Sequence, residues 1–155
     1  MLFPTHILLG VILFLAVKDF FTGGNVIIFF LLVLLGSILP DLDEPRSKIN
    51  QWTGIFGKII AFFFKHRGVL HSLWMHMVLF FAVWHYFSLY YAKALFLGYI
   101  AHIVGDMITP RGVQLWWPFS RWKIKGPVRV GGFFEWVLVG LLFLLIVREI
   151  WMMIG

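Results

Sequence analysis

Apolar residues in this chain run in long blocks, and the polar residues gather in the breaks between them. Five apolar stretches stand out, at residues 7–21, 26–39, 70–91, 94–108 and 133–154. A sixth, 55–64, is apolar apart from Lys58 and reads as a short interfacial or re-entrant helix. In lipid such blocks must be helical, because each backbone amide has to find its partner within its own segment. A complete crossing takes about 20 residues, which only 70–91 and 133–154 reach. Stretches 26–39 and 94–108 are expected to be short helices or partly sunk ones. The pattern predicts an all-α integral membrane helical bundle of about five hydrophobic helices plus the short one, forming a single domain over residues 1–155.

Composition narrows the class further. The chain is 61% hydrophobic and 13% charged, with mean hydropathy +0.93. Soluble domains sit near 45–50% apolar and about 25% charged, and disordered chains are polar and poor in aromatics, so both classes are excluded. Cysteine is absent, which leaves His, Asp and Glu as the residues able to hold a metal. Those ligands suit Zn²⁺, Mn²⁺, Fe²⁺ or Mg²⁺ better than soft metals. Met-Leu-Phe-Pro-Thr-His at the start has no basic leader region, so the first apolar segment is expected to be retained.

The formal net charge is +6, with 13 basic residues against 7 acidic ones. Their placement explains the excess. Two connections are tight, 18–25 with its Gly23-Gly24 pair and 91–93, while 40–65 and 109–132 are long, polar and punctuated by proline. Ten cations lie on the two long loops when Arg67, just past the first, is counted with them, and the remaining three are Lys18, Lys93 and Arg148. Cytoplasmic loops carry the Lys/Arg excess. A multi-pass protein of the inner, cytoplasmic membrane is therefore expected, with N-terminus and long loops in the cytoplasm and C-terminus outside. No nucleic-acid motif accompanies the charge, and no specific nucleic-acid partner is expected.

The chemistry-bearing residues follow the same topology. His6 opens the first helix, Asp41 and Asp43 close the second, His66 and His71 open the third, and His102 and Asp106 close the fourth. With alternating helix direction all these ends share one membrane face. His102 and Asp106, at i and i+4, project from one side of their helix. An ionised Asp inside a membrane helix costs about 2.5–3.5 kcal/mol on insertion scales, so its presence points to function. His76 and His85 read as interhelical or interfacial hydrogen-bond partners. Glu135 is either a ligand or a helix-start charge. Asp19 and Glu149 fall on the other face, solvated or paired with Lys18 and Arg148. Trp116, Trp117, Phe119 and Trp122 read as an aromatic belt at the lipid–water boundary.

These motifs resemble those of the YdjM/YbcI-type inner-membrane metal-dependent hydrolases. The matching pieces are Thr5-His6 with Gly10, Leu39-Pro40-Asp41-Leu42-Asp43, His66-Arg67-Gly68 and His71-Ser72. The longest runs from Gly98 through His102, Asp106, Thr109-Pro110, Gly112-Val113 and Leu115 to Pro118-Phe119-Ser120. Leu70 departs from the pattern, where a Thr is usual. That family is distantly similar to the all-α zinc phospholipase C and P1-nuclease group. The resemblance implies phosphoester hydrolysis at two or three metal ions, with the carboxylate of Asp106 bridging them. Those soluble enzymes also carry a His-x-x-x-Glu pair that is missing here, so a third ion would depend on Glu135.

The expectation is thus a membrane-embedded hydrolase acting on a lipid or other membrane-associated phosphoester. His6, Asp41, His66, His71, His102 and Asp106 would hold the divalent metal, zinc first, with Mn or Mg as alternatives. Asp43 would orient a His ligand or act as general base, and Asp106 and Arg67 would stand beside the reacting group. Arg67, Arg111 and Ser72 would bind substrate. Two other readings stay open: a metal or proton-coupled transporter using the same residues as a pathway, and a non-catalytic scaffold whose metal site is structural.

Overall fold

A computed structural model of the chain describes residues 1–64 and 67–154. Among them the helices are α1 (Phe3–Val17), α2 (Val26–Ile38), α3 (Lys48–Thr53), α4 (Ile55–Phe63), α5 (Leu73–Tyr86), α6 (Leu89–Met107) and α7 (Phe133–Ile154). Short 3-10 turns at Leu39–Asp43 and Val69–His71 follow α2 and precede α5. The described residues contain no strand, only an isolated antiparallel bridge between Val113 and Ile124.

Local signals set most of these boundaries. Pro4 sits in the first turn of α1, where its missing N–H leaves no bond unmade, so α1 begins at Phe3, ahead of the expected residue 7. Asn25 caps α2 by accepting from the backbone N–H groups of Ile27 and Ile28 at 2.8 and 3.2 Å. Helix α7 occupies the expected 133–154, and α4 fills the short apolar stretch.

One boundary differs from the apolar pattern. Residues 70–91 do not form one long helix: α5 ends at Tyr86 and α6 begins at Leu89. Ser88 is extended, and its hydroxyl accepts from the Tyr91 N–H at 3.3 Å, capping a new helix inside the apolar run. The third helix is therefore only 14 residues long and the fourth has 19, so the fourth and not the third is the long one.

Three segments, Phe3–Phe20, Val26–Asp43 and Phe133–Ile154, are helical, long and apolar enough to cross a membrane. Their outer faces show it. Ile27, Leu31 and Leu35 of α2, and Phe133, Leu144 and Trp151 of α7, are exposed. In α4 the residues Ile55, Phe56, Ile59, Phe62 and Phe63 are also exposed, which suits a helix lying in an interface.

Helix α6 is the hub. Its residues Ala92, Ala94, Tyr99, Ala101 and Ile103 are buried, and its most extensive partner is α2. Two glycines permit that approach. A Cβ at Gly98 would lie 2.0 Å from the Val33 carbonyl oxygen, and one at Gly36 would lie 2.2 Å from that of Leu95. The backbones touch where other residues would hold them apart, as in close membrane-helix crossings.

Candidate metal centre

The α2–α6 crossing brings the end of α2 against the last turns of α6. The carbonyl of Ser37 accepts a hydrogen bond from His102 Nδ1 at 2.8 Å. That bond assigns the proton of a neutral ring to Nδ1 and leaves Nε2 as a bare donor pair facing inward. Gly105, one turn along, keeps α1 close, because a Cβ there would lie 3.2 Å from the ring of His6. The rings of His6 and His102 stack with centroids 3.9 Å apart.

After α2, the Leu39–Asp43 turn is tied down from outside. Ser47 Oγ donates to the Asp41 carbonyl at 2.6 Å, and buried Asn50 Nδ2 donates to the Leu42 carbonyl at 2.7 Å. The turn sends Asp41 towards the histidines and Asp43 behind them. Asp43 Oδ2 faces His71 Nδ1 at 3.2 Å and accepts from the Arg67 backbone N–H at 3.0 Å. Tyr99, from α6, donates its hydroxyl to the His71 carbonyl at 3.2 Å. His71 is thereby held at both ends, with Nε2 pointing at the centre.

The resulting cluster is compact. His71 Nε2 lies 3.2 Å from His102 Nε2, 3.6 Å from Asp106 Oδ2 and 4.0 Å from Asp41 Oδ1. His102 Nε2 is 3.8 Å from Asp41 Oδ1 and 3.9 Å from Asp106 Oδ2. His6 Nε2 approaches the other oxygen of Asp106 at 3.6 Å. Ligands of a tetrahedral zinc with bonds near 2.0–2.1 Å stand roughly 3.3 Å apart, so this spacing fits an ion at the centre. Two overlapping triads have the donor set, His6/Asp41/His102 and His71/His102/Asp106.

Burial sharpens the fit. His6, His71, His102 and Asp106 are almost wholly buried, and both ring nitrogens of His6 lack a hydrogen-bond partner. An imidazole buried without a protein partner loses hydrogen bonds it would make in bulk water, a cost a metal bond would remove. Asp41 alone of the cluster reaches solvent, at 17% exposure. It opens onto a cavity of about 400 Å³ that is also lined by Arg46, Lys48, Arg67 and Arg111.

His71 lies ahead of α5, outside the three candidate spans. Burial disfavours its charged ring, but the Asp106 and Asp43 carboxylates outweigh burial and push it up to about 9. A proton on this ring is the natural rival of a metal ion.

Other expected site residues are placed as follows. His66 lies outside the described residues. Arg67, with φ of 61°, turns its guanidinium inward, where it meets Asp106 Oδ2 at 2.8 Å, the Gly112 carbonyl at 2.8 Å and Thr109 Oγ1 at 3.2 Å. It braces the cluster rather than standing free over a substrate. Ser72 faces away, capping α5 through the Met75 N–H and donating to the Val69 carbonyl. Arg111 sits exposed on the rim of the cavity beside Asp41. The Met1 amino group donates to Asp106 Oδ1.

Glu135 is wholly buried but stands apart from the triads. It accepts from Leu2 N–H at 2.7 Å, Thr5 Oγ1 at 2.9 Å and Gly131 N–H at 2.6 Å, tying the start of α7 to the start of α1. Of its two sequence readings, the helix-start charge is the one this geometry fits. His76 stacks on Tyr99 and bonds the Ser72 carbonyl within α5, away from the centre. Lys18 with Asp19 and Arg148 with Glu149 form surface pairs. Sequence reasoning missed the Ser37 carbonyl and the Tyr99 hydroxyl as the groups that aim His102 and His71. The first is a backbone atom and has no sequence signal.

An all-α bundle with apolar outer faces and, among the described residues, a buried His/Asp cluster defines a membrane protein with residues that could hold a metal ion. Residues 1–154 match the family described as YdjM inner membrane protein, and the chain belongs to that family. It is 36% identical over 110 residues to the inner membrane protein YdjM of Escherichia coli (strain K12), covering 63% of this chain and 52% of that protein. The YdjM protein of Shigella flexneri matches over the same shares. The uncharacterized protein YvsG of Bacillus subtilis (strain 168) is 31% identical over 111 residues, covering 69% of each chain. The chain thus spans about half the length of the YdjM proteins it matches. No solved structure matches it.

Proposed function

We propose that this protein is a membrane-embedded, metal-dependent hydrolase acting on a lipid or other membrane-associated phosphoester. The observation that carries the reading is the convergence of His6, Asp41, His71, His102 and Asp106, from four separate segments, on one buried point beside an open cavity. A structural site has no use for an opening, whereas a catalytic one needs a free position reachable by water and substrate.

His71 and His102 would bind through Nε2, each with its other nitrogen already engaged. Asp106 would serve as a carboxylate ligand beside both rings, since one oxygen faces His6 and the other faces His71. Zinc bound there would lower the pKa of a coordinated water towards about 7 and offset charge on the phosphoryl oxygens. Asp43 acts as a positioning residue: its Oδ2 fixes the tautomer and direction of His71. Arg67 holds Asp106 in place through the 2.8 Å ion pair. Arg46, Lys48 and Arg111 make the mouth attractive to an anionic substrate.

The ten-to-three distribution of cations supports a cytoplasmic site. Helix α7 starts beside the N-terminus at Glu135 and is about 33 Å long, enough to carry the C-terminus to the opposite side.

The test begins with elemental mass spectrometry of protein purified in detergent. Wild type should carry one or more zinc-class ions per chain, and His102→Ala/Asp106→Ala should carry none. Asp106→Asn should then abolish turnover of phospholipid or lipid phosphate while the protein stays folded. Metal binding with no turnover of any phosphoester would favour a structural site, and metal flux into proteoliposomes would favour a transporter.

A further inference from the structure

Loop 108–132 carries Arg111, Arg121, Lys123, Lys125 and Arg129 and not one acidic residue. Part of it is folded tightly. Val113 and Ile124 exchange backbone hydrogen bonds at 2.9 and 3.1 Å, closing the loop between them. Gly112, with φ of 64°, makes that closure possible, since a Cβ there would lie 2.3 Å from the Ile124 carbonyl oxygen. Gln114 Nε2 donates to the Arg121 carbonyl at 3.1 Å, bracing the loop from within.

The closed loop forms a second cavity, of about 300 Å³, lined by Arg67, Gly112, Gln114, Trp117, Arg121 and Lys123. That volume is at the small end of ligand-binding cavities. Among the described residues neither Arg121 nor Lys123 has an ion-pair partner, although Lys18 and Arg148 elsewhere on the surface do. Arg67 contributes a buried Nε with no hydrogen-bond partner. Two unpaired cations, an amide and no carboxylate form a setting for a small, highly charged anion. Elsewhere on the same loop Trp116, Phe119 and Trp122 are exposed, as suits residues seated at the lipid–water boundary.

We propose that this cavity is a phosphate-binding site, distinct in its lining from the His/Asp cluster and sharing with it only Arg67, which lines the cavity and pairs with Asp106. The ligand is a phosphate group, carried on a lipid headgroup or free in solution. Arg121 and Lys123 supply the charge, and Trp117 walls the pocket. The site does not depend on the hydrolase reading, because its test involves no turnover.

Metal-free protein would be titrated with inorganic phosphate and glycerol 3-phosphate by calorimetry, and with nanodiscs or vesicles containing phosphatidylglycerol against phosphatidylcholine alone. Arg121→Gln/Lys123→Gln should weaken binding at least about tenfold, the loss expected when a charge-assisted contact goes. Lys125→Gln/Arg129→Gln removes the same charge from the same loop outside the cavity and should leave binding within about twofold. Soluble phosphate binding with that mutational pattern would assign free phosphate. The same pattern with phosphatidylglycerol only would assign a lipid headgroup. Equal losses in both double variants would show a diffuse surface effect and overturn the site, as would binding of neither probe.

Discussion

His71 and His102 face each other with their Nε2 atoms 3.2 Å apart, and each ring's Nδ1 is committed elsewhere, to Asp43 and to the Ser37 carbonyl. Lone pairs on two imidazole nitrogens that face one another this closely repel unless a proton or a cation lies between them. The arrangement therefore suits a proton or a metal ion between the rings, and the groups that set it are open to mutation.

Asp43→Asn keeps the shape of the side chain but removes the charge that supports His71. Metal affinity should fall about 10–100-fold, the usual cost of losing such a partner, with little change in helical content. Competition with a calibrated chelator, alongside circular dichroism, measures both. Unaltered affinity would remove Asp43 from the site.

The pH response of the metal-free protein follows from the same ring. His71 is raised from 6.5 to about 9 by carboxylates that outweigh its burial, so the folded chain holds that proton more tightly than the unfolded chain. The stabilisation is complete below about 6.5 and disappears as pH rises through about 9. Chelator-treated protein should melt at a lower temperature at about pH 9.5 than at about pH 6. Metal-loaded protein should not follow that curve, because the ring binds an ion in its neutral form.

Close approach of α2 and α6 is needed to place the Ser37 carbonyl on His102. Gly98→Ala puts a methyl 2.0 Å from the Val33 carbonyl oxygen and must push the helices apart. A loss of about 3 kcal/mol, together with loss of bound metal, is expected. Gly140→Ala is the control: nothing lies within 4 Å of its Cβ position, and alanine is the better helix former, so stability should hold or rise. Thermal melts in detergent with parallel metal analysis separate the two.

Glu135 lies outside both triads, and two of its three accepted hydrogen bonds join the start of α7 to the start of α1, the third coming from Gly131 in the preceding turn. Glu135→Ala should lower stability by roughly 1–3 kcal/mol for each buried donor it strands. Bound metal per folded chain should stay as in wild type. Loss of an ion without loss of stability would make Glu135 a ligand after all.

Much of this was legible before any coordinates. Apolar block length marks α2, α4 and α7 because burial in lipid depends on composition over a segment, not on detailed packing. Helix alternation places His6, Asp41, His71, His102 and Asp106 in one layer, since each lies near a helix end. The break at Phe87–Ser88 was hidden, because a single capping serine among apolar residues looks like any other polar interruption. The role of Arg67 was hidden too. An arginine beside a cluster of acids and histidines reads as a substrate clamp until its partners Asp106, Thr109 and Gly112 are seen.

The sequence by itself determined the membrane class, the helical architecture and the set of residues with metal-binding chemistry. These depend on hydropathy, segment length and residue type, which are properties of the chain. Tertiary structure decided which of those residues meet, which nitrogen each histidine offers, and which charges are already engaged. Those outcomes rest on helix crossings at Gly36 and Gly98, on a backbone carbonyl at Ser37, and on contacts between residues tens of positions apart. Packing in three dimensions sets such distances, and no one-dimensional pattern encodes them directly.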